Sequence, residues 1–186
     1  SFMDGPETTR ASTNPRILMP LSRFRFLLAL LAIFGAPLAA SAQAAAPVTI
    51  FVVRHAERAS TEADSPLSEI GKARAERLAA MLASAGVAHA ISTQFIRTKD
   101  TVAPLASRMG VTPVVVGTSD MNPLISMLQG LPAGSKALVA GHSNTINVIV
   151  GRLTGQEIPA LEDSVYDRLY VVTLQGGVGT AVLLHY

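Results

Sequence analysis

The sequence contains no cysteine. That absence excludes disulfides, cysteine-ligated zinc and a thiol nucleophile, and leaves packing alone to stabilise the fold. Charge is sparse as well: Asp, Glu, Lys and Arg make up 15% of the 186 residues, against 49% apolar. None of that charge falls between Phe26 and Ala42. Beyond Ala46 there is neither an internal repeat nor a low-complexity segment, which argues against a repeat array or an interaction tail. The pI near 9.3 suggests a basic protein. However, four of the 15 Lys+Arg and two of the 13 Asp+Glu lie before residue 45, leaving 11 of each after it. A neutral remainder has no field with which to bind nucleic acid or an anionic membrane. Any positive potential in it must be local.

The chain is expected to have three parts. Residues 1–18 are polar and unpatterned and read as an upstream or vector-derived remnant, disordered, with Met19 as the natural start. Residues 19–44 read as a signal peptide: Arg23 and Arg25 precede the uncharged run, and Ala39-Ala40-Ser41-Ala42-Gln43-Ala44 offers a cleavage site after Ala42 or Ala44. Seventeen uncharged residues would span roughly 25 Å as a helix, short of the ~30 Å hydrocarbon core. Cleavage, a periplasmic or secreted location and no stable membrane insertion afterwards are the expectation. Residues 45–186 are then one domain, long enough to bury a core.

Within that domain strand-like and helix-like patterns alternate. Residues 48–53 are a continuous β-branched run, as a strand buried on both faces requires. Ser68 can cap a helix to about Ala85, with Gly86 as its stop. Residues 87–92 read as a strand and 96–109 as a helix ended by Gly110, with a break or kink expected near Ala103 because of Pro104. Residues 111–116 and 137–140 read as strands, 123–129 and 145–153 as helices. Residues 169–174 and 180–185, joined through Gly176-Gly177, read as a β-hairpin. The expected fold class is α/β: a three-layer sandwich with a mainly parallel central sheet, helices on both faces and a C-terminal hairpin.

Two histidines stand out in this pattern. The run at 48–53 ends in Arg54-His55, and the run at 137–140 ends in Gly141-His142. Ligand crevices of open α/β sheets lie at the carboxyl ends of the strands. His55 and His142 are therefore expected to share a pocket with Arg54, Arg58 and Arg97, a cationic site suited to phosphate. His89 and His185 lack such placement and read as structural or exposed.

Arg54-His55-Ala56-Glu57-Arg58 resembles the signature of the histidine phosphatase superfamily, in its small single-domain, phosphoglycerate-mutase-like form. Three later stretches resemble it in order: Leu67-Ser68-Glu69-Ile70-Gly71-Lys72-Ala73-Arg74-Ala75, Ser92 to Thr101 with Arg97, and Gly141-His142-Ser143-Asn144. Ala56 departs from the usual glycine but still leaves room beside the phosphate and the backbone N–H. The resemblance implies that His55 is a nucleophile forming a phosphohistidine. Arg54, Arg58 and Arg97 would clamp the phosphoryl group, and His142, protonated by the bound anion, would be a fourth donor. No cofactor and no metal are expected, the arginines supplying the electrostatics.

The proton donor stays open among Asp120 in the loop after the third strand, Glu57 beside the nucleophile, and Glu162, Asp163 or Asp167 near the last strands. Asp120 is the first choice, although Thr118-Ser119-Asp120 is also ordinary helix N-terminal chemistry. The expected function is hydrolysis of a phosphomonoester on a phosphorylated small molecule or phosphorylated surface group. Short connections imply an open pocket. A non-catalytic phospholigand-binding protein of the same fold and a phosphoglycerate mutase are the alternatives.

Overall fold

The computed structural model describes residues 44–186. The remnant and almost all of the proposed signal peptide lie outside the described residues. Within them the order is β1 (Val48–Arg54), α1 (Glu69–Leu82), β2 (His89–Thr93), α2 (Ile96–Met109), β3 (Val114–Val116), α3 (Asn122–Gln129), β4 (Lys136–Gly141), α4 (Ile146–Thr154), β5 (Arg168–Gln175) and β6 (Val178–His185). The six strands form one sheet in the order β3-β2-β4-β1-β5-β6. The pairs β2–β3, β2–β4 and β1–β4 are parallel, and β1–β5 and β5–β6 antiparallel. The α/β sandwich and the terminal hairpin are as expected.

β1 is apolar at every position except Thr49 and the terminal Arg54, because both of its faces are covered. Val48, Ile50 and Val52 enter a core with Leu124, Ile125 and Leu128 of α3 and Ile146, Ile149 and Leu153 of α4. Phe51 and Val53 enter a second core on the other face, with Leu78 and Leu82 of α1 and Val102 and Leu105 of α2. β4 splits the same way, Ala137 and Val139 to one side, Leu138 and Ala140 to the other. Each fully buried Leu or Ile contributes about 1.5–3 kcal/mol. The two central strands are thus fixed from both sides.

Three local expectations need correction. Pro104 does not interrupt α2, which runs unbroken from Ile96 to Met109. Its ring removes one backbone donor, but Val102, Leu105 and Ala106 are buried around it and hold both halves of the helix on the sheet. The third strand is Val114–Val116 rather than 111–116. Val111 instead donates its N–H to the Ala106 carbonyl at 3.0 Å, closing α2, and Pro113 has no N–H to offer a ladder. The second strand begins at His89, two residues later than expected.

Ser68 caps α1 as expected, its Oγ accepting from Gly71 N–H at 3.1 Å. Gly71 itself has a second reason to lack a side chain. A Cβ built there would lie 2.1 Å from the carbonyl oxygen of Glu57, in the segment that follows β1. Gly71→Ala must push that segment aside. It should lower stability by about 1–3 kcal/mol or more, read as a depressed Tm. A melt indistinguishable from wild type would show that the contact carries no constraint.

Candidate active site

β1 and β4 are parallel neighbours with Arg54 opposite Gly141. The pairing continues one residue further, His55 N–H donating to the Gly141 carbonyl at 2.8 Å. His55 and His142 therefore leave the sheet side by side, ring centroids 5.3 Å apart. Arg97, in the first turn of α2, reaches across from β2's side and brings Nη2 to 3.3 Å from His142 Nδ1. These side chains line a cavity of about 480 Å³ together with Arg54, Arg58, Phe95, Thr118, Ser143, Asn144, Thr145 and Asp163. The expected convergence of two imidazoles and three guanidiniums is present.

Hydrogen bonds fix the state of each imidazole. His55 Nδ1 lies 2.8 Å from the carbonyl of Ala56, and a carbonyl can only accept. Nδ1 therefore carries the proton and Nε2 keeps its lone pair. Burial pushes the His55 pKa down to about 3, helped by His142, Arg54 and Arg97 against the pull of the Ala56 carbonyl. At neutral pH the ring is a neutral base with one nitrogen available.

His142 is held differently. The Arg97 guanidinium can only donate, so Nδ1 accepts and Nε2–H donates to Thr93 Oγ1 at 3.0 Å. Burial, then Arg97 and Arg54, lower its pKa to about 4. Without an anion His142 is neutral, and only a bound negative charge could make it the cationic donor expected from the sequence. The Ser143-Asn144 pair does not cap α4. Thr145 makes the turn instead, its Oγ1 accepting from His142 N–H at 2.8 Å.

These depressed values carry a stability consequence. Unfolded histidine titrates near 6.5, so between that pH and the folded values the unfolded chain binds more protons than the folded one. Stability then rises with pH across the window and is lost as pH falls through it. Glu57 is an ionised native carboxylate, and its contribution fades only below its ordinary value of 4.5. Melts between pH 6.5 and 4.5 should therefore report mainly the histidine pair. We expect a loss of roughly 3 kcal/mol or more, about 10 °C for a domain of this size. A flat profile over that window would contradict the neutral, buried pair.

Arg54 is 3% exposed and tied more elaborately than expected. Its Nη1 donates to the carbonyls of Glu162, Asp163 and Val165 at 2.9, 3.0 and 3.1 Å. Nη2 lies 3.3 Å from Asp163 Oδ1 and 3.4 Å from the Tyr166 hydroxyl. The Tyr166 ring stacks beneath it, 4.1 Å from Cζ. One edge of Arg54 therefore organises the loop between α4 and β5, leaving Nε and part of Nη2 for a ligand. Arg54 Nε and Arg97 Nε are buried donors without a partner. Burial also lowers both guanidinium pKa values, with Arg58 adding to the effect at Arg97. Concentrated, underpaired positive charge of this kind is what an oxyanion relieves.

The candidate acids separate cleanly. Asp120, the first choice, does not line the cavity. Its Oδ1 accepts from Asn122 N–H at 2.8 Å, the ordinary chemistry of the start of α3. Glu57 is bound by Arg74 through Nε and Nη2 at 2.7–3.0 Å. Burial works to raise its carboxyl, but those hydrogen bonds outweigh it and hold the pKa below the usual range. Asp167 pairs with His185 and Arg168, and Glu162 offers its backbone carbonyl to Arg54. Asp163 alone among the five reaches the cavity. The Ala56 N–H donates to Thr101 Oγ1 at 3.0 Å.

His89 begins β2, at the opposite end of the strand from the site, and His185 lies on the exposed hairpin. Sequence reading missed Tyr166, which sits in an unpatterned stretch where no periodicity marks it. It also missed the pairing of Thr93 with His142. Among the described residues no group of His, Asp or Glu is arranged to hold a metal ion, and no helix is long and apolar enough to cross a membrane.

Strand-end histidines ringed by guanidiniums on an α/β sheet form a site suited in charge and geometry to an oxyanion. Residues 50–120 match the family model of the histidine phosphatase superfamily (branch 1). That match stops short of His142, which the fold supplies. No curated protein matches the sequence. Among solved structures, the protein histidine phosphatase SixA complexed with tungstate superposes with a TM-score of 0.60 at 19% identity, covering 74% of this chain and 96% of that one. A mycobacterial glucosyl-3-phosphoglycerate phosphatase gives 0.59 at 15%, covering 75% and 98%. Phosphoglycerate mutase from Plasmodium falciparum gives 0.53 at 20%, covering 76% and 91%. At these identities the structures share the fold. Residues 50–120 are thus similar to the histidine phosphatase superfamily, and the whole described domain shares the fold of these structures.

Proposed function

We propose that the protein is a phosphomonoester hydrolase that works through a phosphohistidine at His55, without a metal ion. The observation carrying this reading is the single free nitrogen of His55, fixed by the Ala56 carbonyl and set among Arg54, Arg58, Arg97 and His142. A neutral imidazole with its lone pair available is a competent nucleophile. Phosphoryl transfer needs positioning and positive charge more than covalent assistance, and three guanidiniums supply both.

In this reading the incoming phosphate takes up Arg54 Nε, Arg58 and Arg97, and raises the pKa of His142 so that it donates to a phosphoryl oxygen. His55 Nε2 attacks phosphorus in line with the ester oxygen. Nδ1–H, held by Ala56, stabilises the resulting phosphoimidazolium. Water then attacks the same phosphorus and restores the ring. The leader composition supports export, with residues 45–186 as the working domain in the periplasm or outside the cell. The wide cavity supports a phosphorylated small molecule or a phosphate displayed on a surface as substrate.

The test is to mix the protein with a ³²P-labelled phosphomonoester, quench rapidly, and map the label. Acid-labile, base-stable radioactivity on His55 is the expected result. Tight phosphate binding with no label transferred would favour a non-catalytic phospholigand-binding protein. Transfer of label to a second sugar-acid acceptor rather than to water would favour a mutase.

A further inference from the structure

Among the described residues, the cavity is lined by one carboxylate, Asp163, and its placement has a use that the nucleophile and the arginines leave open. We propose that Asp163 is the proton donor to the leaving group, parked on Arg54 until phosphate arrives. This rests on the phosphohistidine reading above.

Three features carry it. The loop bearing Asp163 is anchored to the same guanidinium that faces the phosphate site, through the carbonyls of Glu162, Asp163 and Val165. The acid's position is thereby tied to that of the phosphoryl group. Its side chain, in contrast, is held only loosely. Oδ1 is 3.3 Å from Arg54 Nη2 and 3.5 Å from Ser143 Oγ, and the side chain is 85% exposed. A fixed backbone with a swinging carboxyl suits a group that must exchange protons with solvent and reach an ester oxygen. Lastly, the rival acids are committed elsewhere: Glu57 to Arg74, Asp120 to the start of α3.

The chemistry balances. A phosphate oxygen arriving at Arg54 displaces the Asp163 carboxylate and brings a second negative charge beside it. Two like charges in one site favour protonation of one of them. The monoanionic ester, whose second ionisation lies near pH ~6, supplies the proton. His55 Nε2 then forms a bond to phosphorus while the phosphorus–ester oxygen bond breaks. The departing oxygen keeps the electron pair and takes the Asp163 proton, leaving as a neutral alcohol. In the second half, Asp163 carboxylate accepts a proton from water as that water's oxygen attacks phosphorus. The phosphorus–nitrogen bond breaks, His55 recovers its lone pair and inorganic phosphate departs. His142 serves phosphoryl oxygens throughout, so the two donors do not compete.

A donor to the leaving group matters only when that group is a poor one. The experiment compares wild type, Asp163→Asn, Asp163→Glu and Asp120→Asn of the full chain on p-nitrophenyl phosphate and on a simple alkyl phosphate. For Asp163→Asn we expect kcat on the alkyl ester to fall about 10²–10⁴-fold, with the nitrophenyl ester changed only a few-fold. Asp163→Glu should recover part of the alkyl rate, and Asp120→Asn should leave both substrates close to wild type. Equal losses on both esters, an unchanged alkyl rate, or a leaving-group-dependent loss in Asp120→Asn would each overturn the assignment. So would a uniform gain in kcat/KM, which would make Asp163 a mere competitor for Arg54. If wild type takes up no label on His55, the phosphohistidine reading fails and Asp163's role goes with it. A label present without the leaving-group effect sinks only Asp163.

Discussion

Replacement of His55 by alanine is expected to abolish turnover of p-nitrophenyl phosphate, lowering kcat by at least about 10⁴-fold, or about 5.5 kcal/mol in activation free energy. The size follows from what is removed. Arg54, Arg58, Arg97 and His142 can bind or polarise phosphoryl oxygens, whereas His55, its Nδ1 held by the Ala56 carbonyl, keeps an imidazole lone pair on Nε2. Under the proposed mechanism, deleting it eliminates the covalent route while leaving the guanidiniums in place. Phosphate affinity should therefore stay within a few-fold of wild type, measured as ligand-induced thermal stabilisation. The contrast between lost turnover and kept binding is the signature. A His55→Ala protein that still hydrolysed the ester at a wild-type rate would place the nucleophile elsewhere. One that lost phosphate binding as well would make His55 part of the binding framework.

Arg54→Ala should be the second most damaging change, and unlike the first it should harm folding and chemistry together. The guanidinium serves three carbonyls, a carboxylate and a tyrosine hydroxyl, and lies over an aromatic ring. Its removal strands buried acceptors at about 1–3 kcal/mol each where water cannot replace them. A total of roughly 3 kcal/mol in stability is a reasonable expectation, with kcat/KM reduced on the order of 10³-fold. Arg54→Lys is the informative companion. Lysine keeps the charge but cannot present several donors in one plane, so it should regain little of either quantity. If Arg54→Lys came within tenfold of wild type on kcat/KM, planar hydrogen bonding at this position would be irrelevant to the reaction.

The placement of His55 and His142 could be read from sequence because it follows from backbone rules. Each ends an uninterrupted apolar run, such runs become central parallel strands, and ligands gather at their carboxyl ends. Arg97 was accessible for a similar reason, standing in the first turn of a helix that starts beside β2. The use of Arg54 was not accessible. Its partners are carbonyl oxygens of residues 162–165, and a carbonyl leaves no mark in the identity of a side chain. The choice between Asp120 and Asp163 was open for a related reason. Both lie in irregular segments, and only tertiary structure decides which segment folds over the pocket. Asp120 follows the local rule for a helix start, and the local rule won. Pro104 failed as a helix breaker in the opposite sense, with burial on both sides overriding local propensity.

The six register pairs joining β1 to β4 have one last implication. Adjacent strands sit about 4.8 Å apart wherever a ladder forms, and the two imidazole centroids, each from the residue just past its strand, are 5.3 Å apart. The spacing at which the two imidazoles leave the sheet is thus set by main-chain geometry, which no core substitution can retune while the ladder persists. Under the proposed function, selectivity among esters would then lie at the rim, in Phe95, Thr118, Asn144 and the segment around Asp163. Those are the places where redesign would alter ligand preference and leave the paired imidazoles undisturbed.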